Sequence, residues 1–240
     1  MSTREFPCKA SNIYDKNINF LFGSGASASY IPTLWLAENT TYETLLTHKD
    51  CEDVKDFILC SYFNEIIRKT FCIKPDNENK AYDSTLASYS NFIDELVNLL
   101  EKKGSNQIRR ANIFTTNYDL FFESAADSIL NKKPFHFNDG GLGFKNRKLS
   151  ISNFHITAWH QGTHDMYKHE LPTVNLIKMH GSVSWNRDEN ETISIGYAHK
   201  TPEKIKLETK KNINDLVTTL NETNEDLASY LDLSSNDLTT

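Results

Sequence analysis

Three short apolar runs, spread over most of the chain, constrain its fold more than any other feature of the sequence. They cover residues 18–22, 111–115 and 174–179, and each has the length of a buried strand. Each run ends at a turn or a polar string, and segments with a helical period lie between the runs. This alternation predicts a Rossmann-like α/β fold, with a mostly parallel sheet and helices on both faces.

The segments between the runs predict helices. Apolar residues recur at close to a helical period from about residue 51 to 71. A second helix is expected to begin at an N-cap formed by Asp83 or Ser84 and to end before Gly104. A third is expected over about residues 120–130.

The length of the chain, 240 residues with 38% hydrophobic side chains, is enough for one large domain. We predict that this domain covers residues 1–200 and includes a helical insertion at about 40–105. Residues 201–240 are polar, and helices are expected there at 211–220 and 224–232. The whole is consistent with the front part of a longer protein.

Charge and composition restrict the environment and the partners of the chain. The formal net charge is −6 and the basic residues are dispersed, which argues against direct nucleic-acid binding.

We expect no membrane span, because no stretch of about 18 apolar residues occurs. The N-terminus has no apolar signal core, and the four cysteines include no C-x-x-C pair. Buried thiols in a reducing cytoplasm are therefore expected.

The first apolar run leads into the string Gly23-Ser24-Gly25-Ala26-Ser27, where Gly23, Gly25 and Ala28 fit G-x-G-x-x-G/A. Glycine permits a tight turn, and a missing Cβ at Gly25 lets backbone N–H groups approach a pyrophosphate. A helix beginning just beyond would favour negative charge. By itself the motif is weak, because plain strand-to-helix turns with small residues are common, and that alternative stays open.

The second run leads into Thr115-Thr116-Asn117-Tyr118-Asp119. Parallel sheets place ligands at the carboxyl ends of their strands, which is where Asn117 and Asp119 are expected. An amide and a carboxylate two residues apart can hold a ribose hydroxyl, a carboxamide or a water. The alternative is that one of them caps the following helix, and the two roles are compatible.

The third run ends at His180-Gly181. A neutral imidazole at a strand end can act as a general base near neutral pH. A lone histidine in such a place is more often structural, so this assignment depends on the other two strings. His160 and His164 have the spacing of metal ligands on a helix, but Gly162 separates them and no third ligand is evident. We expect an exposed loop cluster and no metal site.

Taken in order, the three strings resemble the sirtuins. Residues 23–27 resemble the sirtuin Gly-Ala-Gly-x-Ser turn, and residues 115–119, with Glu123 beyond them, resemble the Thr-Gln-Asn-Ile-Asp string. His180-Gly181-Ser182 resembles the catalytic His-Gly motif. The resemblance runs from about residue 17 to 186. The Thr-Thr-Asn-Tyr-Asp form is most similar to the sirtuin-like domains of bacterial antiphage defence proteins, which hydrolyse NAD⁺.

Departures from the sirtuin pattern narrow the implied chemistry. No cysteine follows Cys72, so the four-cysteine zinc module of the deacetylases is absent. Residues 31–35 read Ile-Pro-Thr-Leu-Trp in place of Ile-Pro-Asp-Phe-Arg. The late glycine- and serine-bearing strand of the nucleotide pocket is not found either. These differences favour hydrolysis of NAD⁺ over protein deacetylation.

The resemblance implies a role for each string. NAD⁺ would lie with its pyrophosphate over Gly23, Ser24, Gly25, Ala26 and Ser27, with Thr116 also in the nucleotide site. Asn117 and His180 would be catalytic, and Asp119 would hold the carboxamide. The expected assembly is a homo-oligomer, with a hexameric HerA-type ATPase or another phage sensor as partner. Two alternatives stay open, a non-catalytic NAD⁺ or ADP-ribose sensor and a scaffold for a partner ATPase.

Overall fold

The structure is a computed structural model that describes residues 16–36, 40–75, 77–104, 107–161, 168–197, 200–206 and 212–222. The chain forms two compact units. The first, here called the sheet unit, contains the described residues up to 26 and those of 74–198. The second, the helical unit, contains the described residues of 27–73 and those from 199 onward. The predicted helical insertion at about 40–105 is thus divided between the two units.

The sheet unit contains all ten strands that the described residues form. They are β1 (Ile18–Phe22), β2 (Arg110–Thr115), β3 (His136–Asn138), β4 (Gly141–Leu142), β5 (Arg147–Leu149), β6 (Trp159–Gln161), β7 (Lys168–Glu170), β8 (Thr173–Lys178), β9 (Trp185–Arg187) and β10 (Ile193–Ile195). The main sheet has the order β1-β2-β8-β3, and all its pairings are parallel. The predicted mixed α/β class and parallel sheet are confirmed.

Smaller antiparallel elements complete the sheet unit. β4, β5, β10 and β9 form a second sheet in that order, and β6 pairs with β7. These strands are two or three residues long, too short to show a hydrophobic period.

Two long helices pack on one face of the main sheet. They are α4 (Lys80–Glu101) and α5 (Phe121–Leu130). Phe20 and Phe22 of β1 contact Phe92 of α4, with ring centroids 5.0 and 5.1 Å apart, and Phe22 lies 5.0 Å from Phe122 of α5. Aromatic rings that meet edge to face bury a large apolar area and add a specific attraction.

The N-terminus of α4 differs from the expectation. Its N-cap is Asn79, whose side chain accepts a hydrogen bond from the Tyr82 backbone N–H at 3.1 Å. Ser84, one of the two expected caps, lies inside the helix and donates to the Ala81 carbonyl oxygen. Asparagine and aspartate are comparably good N-caps, so the pattern alone did not choose between them.

The opposite face of the main sheet carries a ladder of asparagines in register across all four strands. Asn112 donates to Asn19 at 2.8 Å, Asn175 donates to Asn112 at 2.8 Å, and Asn138 donates to Asn175 at 3.1 Å. A short 3-10 helix, Ile151–His155, supplies carbonyl oxygens to Asn138 and Asn175. The buried end of the ladder is thus satisfied, as buried amides require.

The helical unit is built around the segment that was predicted as a helix over 51–71. The segment runs through a 3-10 helix, Lys49–Val54, then α2 (Lys55–Tyr62), a π-helical turn, Phe63–Ile67, and α3 (Arg68–Thr70). The unit also contains α1 (Tyr42–Thr47) and α6 (Ile213–Glu222), close to the helix expected at 211–220. The helix expected at 224–232 lies outside the described residues.

No helix in the described part of the chain is both long enough and apolar enough to cross a membrane. Cys51, Cys60 and Cys72 are buried thiols, as predicted, and Cys8 lies outside the described residues.

Candidate functional site

The parallel sheet brings the three sequence strings to one edge. β1, β2 and β8 are adjacent and parallel, so their carboxyl ends lie side by side. The backbone hydrogen bonds between the strands continue just past the strand ends. Thr116 N–H donates to the Phe22 carbonyl at 3.2 Å, and Met179 N–H donates to the Thr115 carbonyl at 2.9 Å. Gly23, Asn117 and His180 therefore follow neighbouring strands at the edge where parallel sheets bind ligands.

The glycine string forms an exposed 3-10 turn over Ser24–Ala26. A Cβ placed at Gly25 would meet no atom within 4 Å, so the backbone there is open to a ligand. At Gly23 the nearest atom to such a Cβ is the Thr116 hydroxyl oxygen, at 4.0 Å. Thr116 therefore borders the turn.

The expected α-helix beyond this turn is absent, since residues 27–30 form turns. A single turn forms, in which the Ser27 carbonyl oxygen accepts from the N–H groups of Tyr30 and Ile31. Pro32 cannot extend that turn, because it has no backbone N–H to donate. Ser27 itself is buried. A short 3-10 turn offers fewer aligned N–H groups than the helix that the sequence predicted.

Asn117 and Asp119 are both buried, 8% and 4% exposed. The Asn117 backbone N–H donates to Thr115 Oγ1 at 3.0 Å, which fixes the chain as it leaves β2. Asp119 Oδ1 accepts a hydrogen bond from the Phe121 backbone N–H, the first residue of α5, at 3.2 Å. The N-cap of α5 is Leu120, so neither Asn117 nor Asp119 takes the N-cap position that the capping alternative predicted. Asp119 nevertheless stabilises the start of the helix from the residue before the cap, while it lies at the carboxyl edge of the sheet.

His180 is exposed at the end of β8, and no described residue forms a hydrogen bond with its side chain. Gly181 has a φ of +95°, a left-handed conformation that favours glycine. A Cβ at Gly181 would lie 4.0 Å from Trp185, so space does not explain the glycine. The backbone turn that leaves His180 exposed is what requires it.

A buried lysine, Lys178, joins the second and third strings. Its ammonium group donates to the Asp119 carbonyl oxygen, lies 2.9 Å from Glu123 Oε1 and 3.2 Å from Ser182 Oγ. The side chain is only 3% exposed. The Val183 backbone N–H also donates to the Tyr118 carbonyl at 3.2 Å. The two loops that carry Asn117 and His180 are therefore held together by one cation and its acceptors.

Glu123 is the charge partner of Lys178 inside the sheet unit. Burial raises the pKa of Glu123, and the Lys178 ammonium opposes that rise. Sequence reasoning noted Glu123 only as part of the resemblance and did not assign Lys178 a role. The sequence contained a signal for this role of Lys178. A lysine at the end of a buried strand requires a buried counter-charge.

The histidines outside the site do not form a metal centre within the described residues, which contain no cluster of three or more potential ligands. His160 is exposed, as predicted, but it lies on the strand β6 and not in a loop. Its ring faces that of His169 across the β6–β7 pair, with centroids 5.2 Å apart. His164 lies outside the described residues.

Comparison with known proteins does not assign the chain to a family. No family model matches the chain, and no curated protein matches it. The likeness to sirtuins therefore depends on the three sequence strings alone.

Proposed function

We propose that this chain is a sirtuin-like NAD⁺ glycohydrolase, which cleaves NAD⁺ to ADP-ribose and nicotinamide. The observation that carries the proposal is the meeting of three strings, 23–27, 115–119 and 180–182, at the carboxyl edge of one parallel sheet. Ligands bind at this edge in open α/β sheets. An open glycine turn, a buried Asn/Asp pair and an exposed histidine supply there the groups that such a reaction uses.

Each string takes one part of the proposed reaction. The open backbone at Gly25 receives the pyrophosphate, and Asp119 holds the nicotinamide carboxamide. Asn117 orients the attacking water or the nicotinamide ribose. Water oxygen bonds to the ribose C1′ while the C1′–N bond breaks, and its electron pair leaves with nicotinamide. His180 contacts the ribose hydroxyls and accepts the proton that the water loses.

The absence of cysteines after Cys72 supports hydrolysis over deacetylation, because a four-cysteine zinc module would need ligands that residues 73–240 do not contain. On this proposal the protein acts in the cytoplasm as an antiphage effector that depletes NAD⁺. It does so as a homo-oligomer, with a HerA-type hexameric ATPase or another phage sensor as partner, and without a metal.

The test is nicotinamide release from NAD⁺ by the complete protein, assembled with its partner and triggered. His180→Ala should lower the rate by about 10²- to 10⁴-fold, the usual loss when a catalytic acid–base group is removed. Asn117→Ala should lower it by about 10²-fold or more, because the attacking water or the ribose loses its orientation. His155→Ala is the matched control for His180, since both histidines are exposed. Unfolding midpoints should stay unchanged for the two exposed histidines, and Asn117→Ala, at a buried position, should remain folded at the assay temperature. Wild-type rates in both site variants would refute the proposal.

One observation favours the alternative of a non-catalytic sensor. Asp119 is buried and already bonded to the start of α5, so part of the site is stabilised without a ligand. Tight NAD⁺ or ADP-ribose binding by the triggered assembly, with no nicotinamide released, would establish the sensor. An intact NAD⁺ pool without nucleotide binding would establish the scaffold for a partner ATPase.

A further inference from the structure

A cavity in the sheet unit lies beside α5, and the glycine turn is not part of its lining. Its volume is about 230 Å³. Helix α5 lines one side with Glu123, Asp127 and Leu130, and Phe137 lies among the residues of the other side. The proposed NAD⁺ residues are not among its lining.

One wall of this cavity is fixed by interactions of its own. Asp139 accepts hydrogen bonds from Arg147 Nη2 at 2.7 Å, from the Tyr197 hydroxyl at 2.6 Å and from the Gly141 N–H at 3.0 Å. The Arg147 guanidinium also lies 5.7 Å from the centroid of the Tyr197 ring. The charges of Asp139 and Arg147 therefore offset each other, and this wall is preorganised.

The α5 wall is different, because it presents carboxylate oxygens that the described residues do not satisfy. Glu123 uses Oε1 for Lys178, but its Oε2 is buried and has no hydrogen-bond partner among the described residues. An unpaired buried acceptor costs free energy unless something supplies a donor. Asp127 lies one helical turn further on the same face, is exposed, and forms no ion pair within the described part of the chain.

We propose that this cavity binds a small organic cation, a short alkylammonium or diammonium compound, between Glu123 and Asp127. One ammonium group meets Glu123 at the buried end, and Asp127 meets the positive charge at the exposed end. The aliphatic part lies against Leu130 and Phe137. The inference does not depend on NAD⁺ hydrolysis.

The chemistry of the lining favours an organic cation over a metal ion. Calcium takes six to eight oxygen ligands and magnesium demands near-octahedral oxygen geometry. Here the lining offers only the Asp127 carboxylate and one oxygen of Glu123, together with an aromatic ring and a guanidinium group. The cavity holds roughly eight waters at ~30 Å³ each, a volume that suits a compound of six to ten non-hydrogen atoms.

The probe is 1,4-diaminobutane, titrated into the full chain by calorimetry at about 0.15 M salt, where long-range surface attraction is screened. Its neutral counterpart is 1,4-butanediol, which has the same length and no charge. We expect the diamine to bind with a Kd of about 0.1–1 mM and the diol to show no binding up to about 10 mM.

The protein variants separate this cavity from general attraction to an acidic surface, since the chain carries a net charge of −6. Asp127→Asn should weaken diamine binding about tenfold, the loss of one charge-assisted contact. Glu95→Gln removes an exposed carboxylate from α4 in the same unit and should bind as wild type does. Equal binding by the two variants, equal binding of diol and diamine, or no diamine binding would each overturn the inference.

Discussion

The sheet unit contains two buried polar networks that differ in charge and in position. The asparagine ladder is neutral, crosses all four strands in register and joins residues in the middle of the sheet. The Lys178 network is charged, lies where β8 ends and joins two loops to the first turns of α5. The ladder specifies strand register, whereas the charged network specifies where Asn117 and His180 lie.

The comparison shows that the two halves of the candidate site, the loops after β2 and β8 and the glycine turn after β1, differ in how firmly the fold holds them. The loops after β2 and β8 are fixed by a lysine that is nearly inaccessible to water. The glycine turn after β1 is exposed and forms only a short 3-10 turn. On the proposed function, the catalytic half is preorganised and the pyrophosphate half is open to the substrate.

The largest effect is expected from Lys178→Met, which leaves Glu123 as a buried charge without a partner. Breaking a buried ion pair from one side costs about 3–5 kcal/mol of unfolding free energy. Urea denaturation of the full chain measures it. Lys132→Met is the matched control, because Lys132 is exposed, and should change stability by less than about 0.5 kcal/mol.

A second substitution distinguishes a lost charge pair from lost packing. The double variant Lys178→Met with Glu123→Leu should recover most of the stability, since apolar replacements of a whole buried pair are often neutral. If Lys178→Met is no more destabilised than Lys132→Met, the network does not hold these loops together.

A smaller effect is expected from Asn175→Ala at the buried centre of the ladder. The change removes the acceptor of Asn138 and the donor to Asn112, and unsatisfied buried amides cost about 1–3 kcal/mol. Asn19→Ala, at the exposed end of the ladder, should cost less than about 0.5 kcal/mol because water replaces the lost contact. Unfolding midpoints in urea compare the two. If the two variants lost the same unfolding free energy, burial would not determine how much each asparagine of the ladder contributes to stability.

The smallest expected effect is that of Gly181→Ala, about 1 kcal/mol, because alanine resists the φ of +95° at this position. Gly25→Ala is the control, since that residue lies in a 3-10 turn with open space at its Cβ position. It should leave stability within about 0.5 kcal/mol of wild type. On the proposed function, however, the added methyl group at residue 25 should weaken NAD⁺ binding. If Gly25→Ala lost stability and Gly181→Ala did not, the requirement for glycine would lie at residue 25 and not at residue 181.

The elements that were predicted best are those with a long or repeated pattern. The first strand was placed at its observed bounds, β2 and β8 within a residue, and α5 within a residue. The start of α4 was missed by four or five residues, because its N-cap, Asn79, lies outside the apolar repeat that marks the helix. Strands β4 and β5 were missed altogether, since two or three residues show no period.

The sequence alone determined the α/β class, the order of the three strings and the end of the strand at which each one lies. Those properties follow from local patterns of apolar residues and turns. Only the tertiary structure decided that β8 lies between β2 and β3, and that Lys178 reaches Glu123 across 55 positions of the chain. The physical reason is that a buried charge is satisfied by whatever lies beside it in space, and neighbours in space leave no periodic trace in the chain.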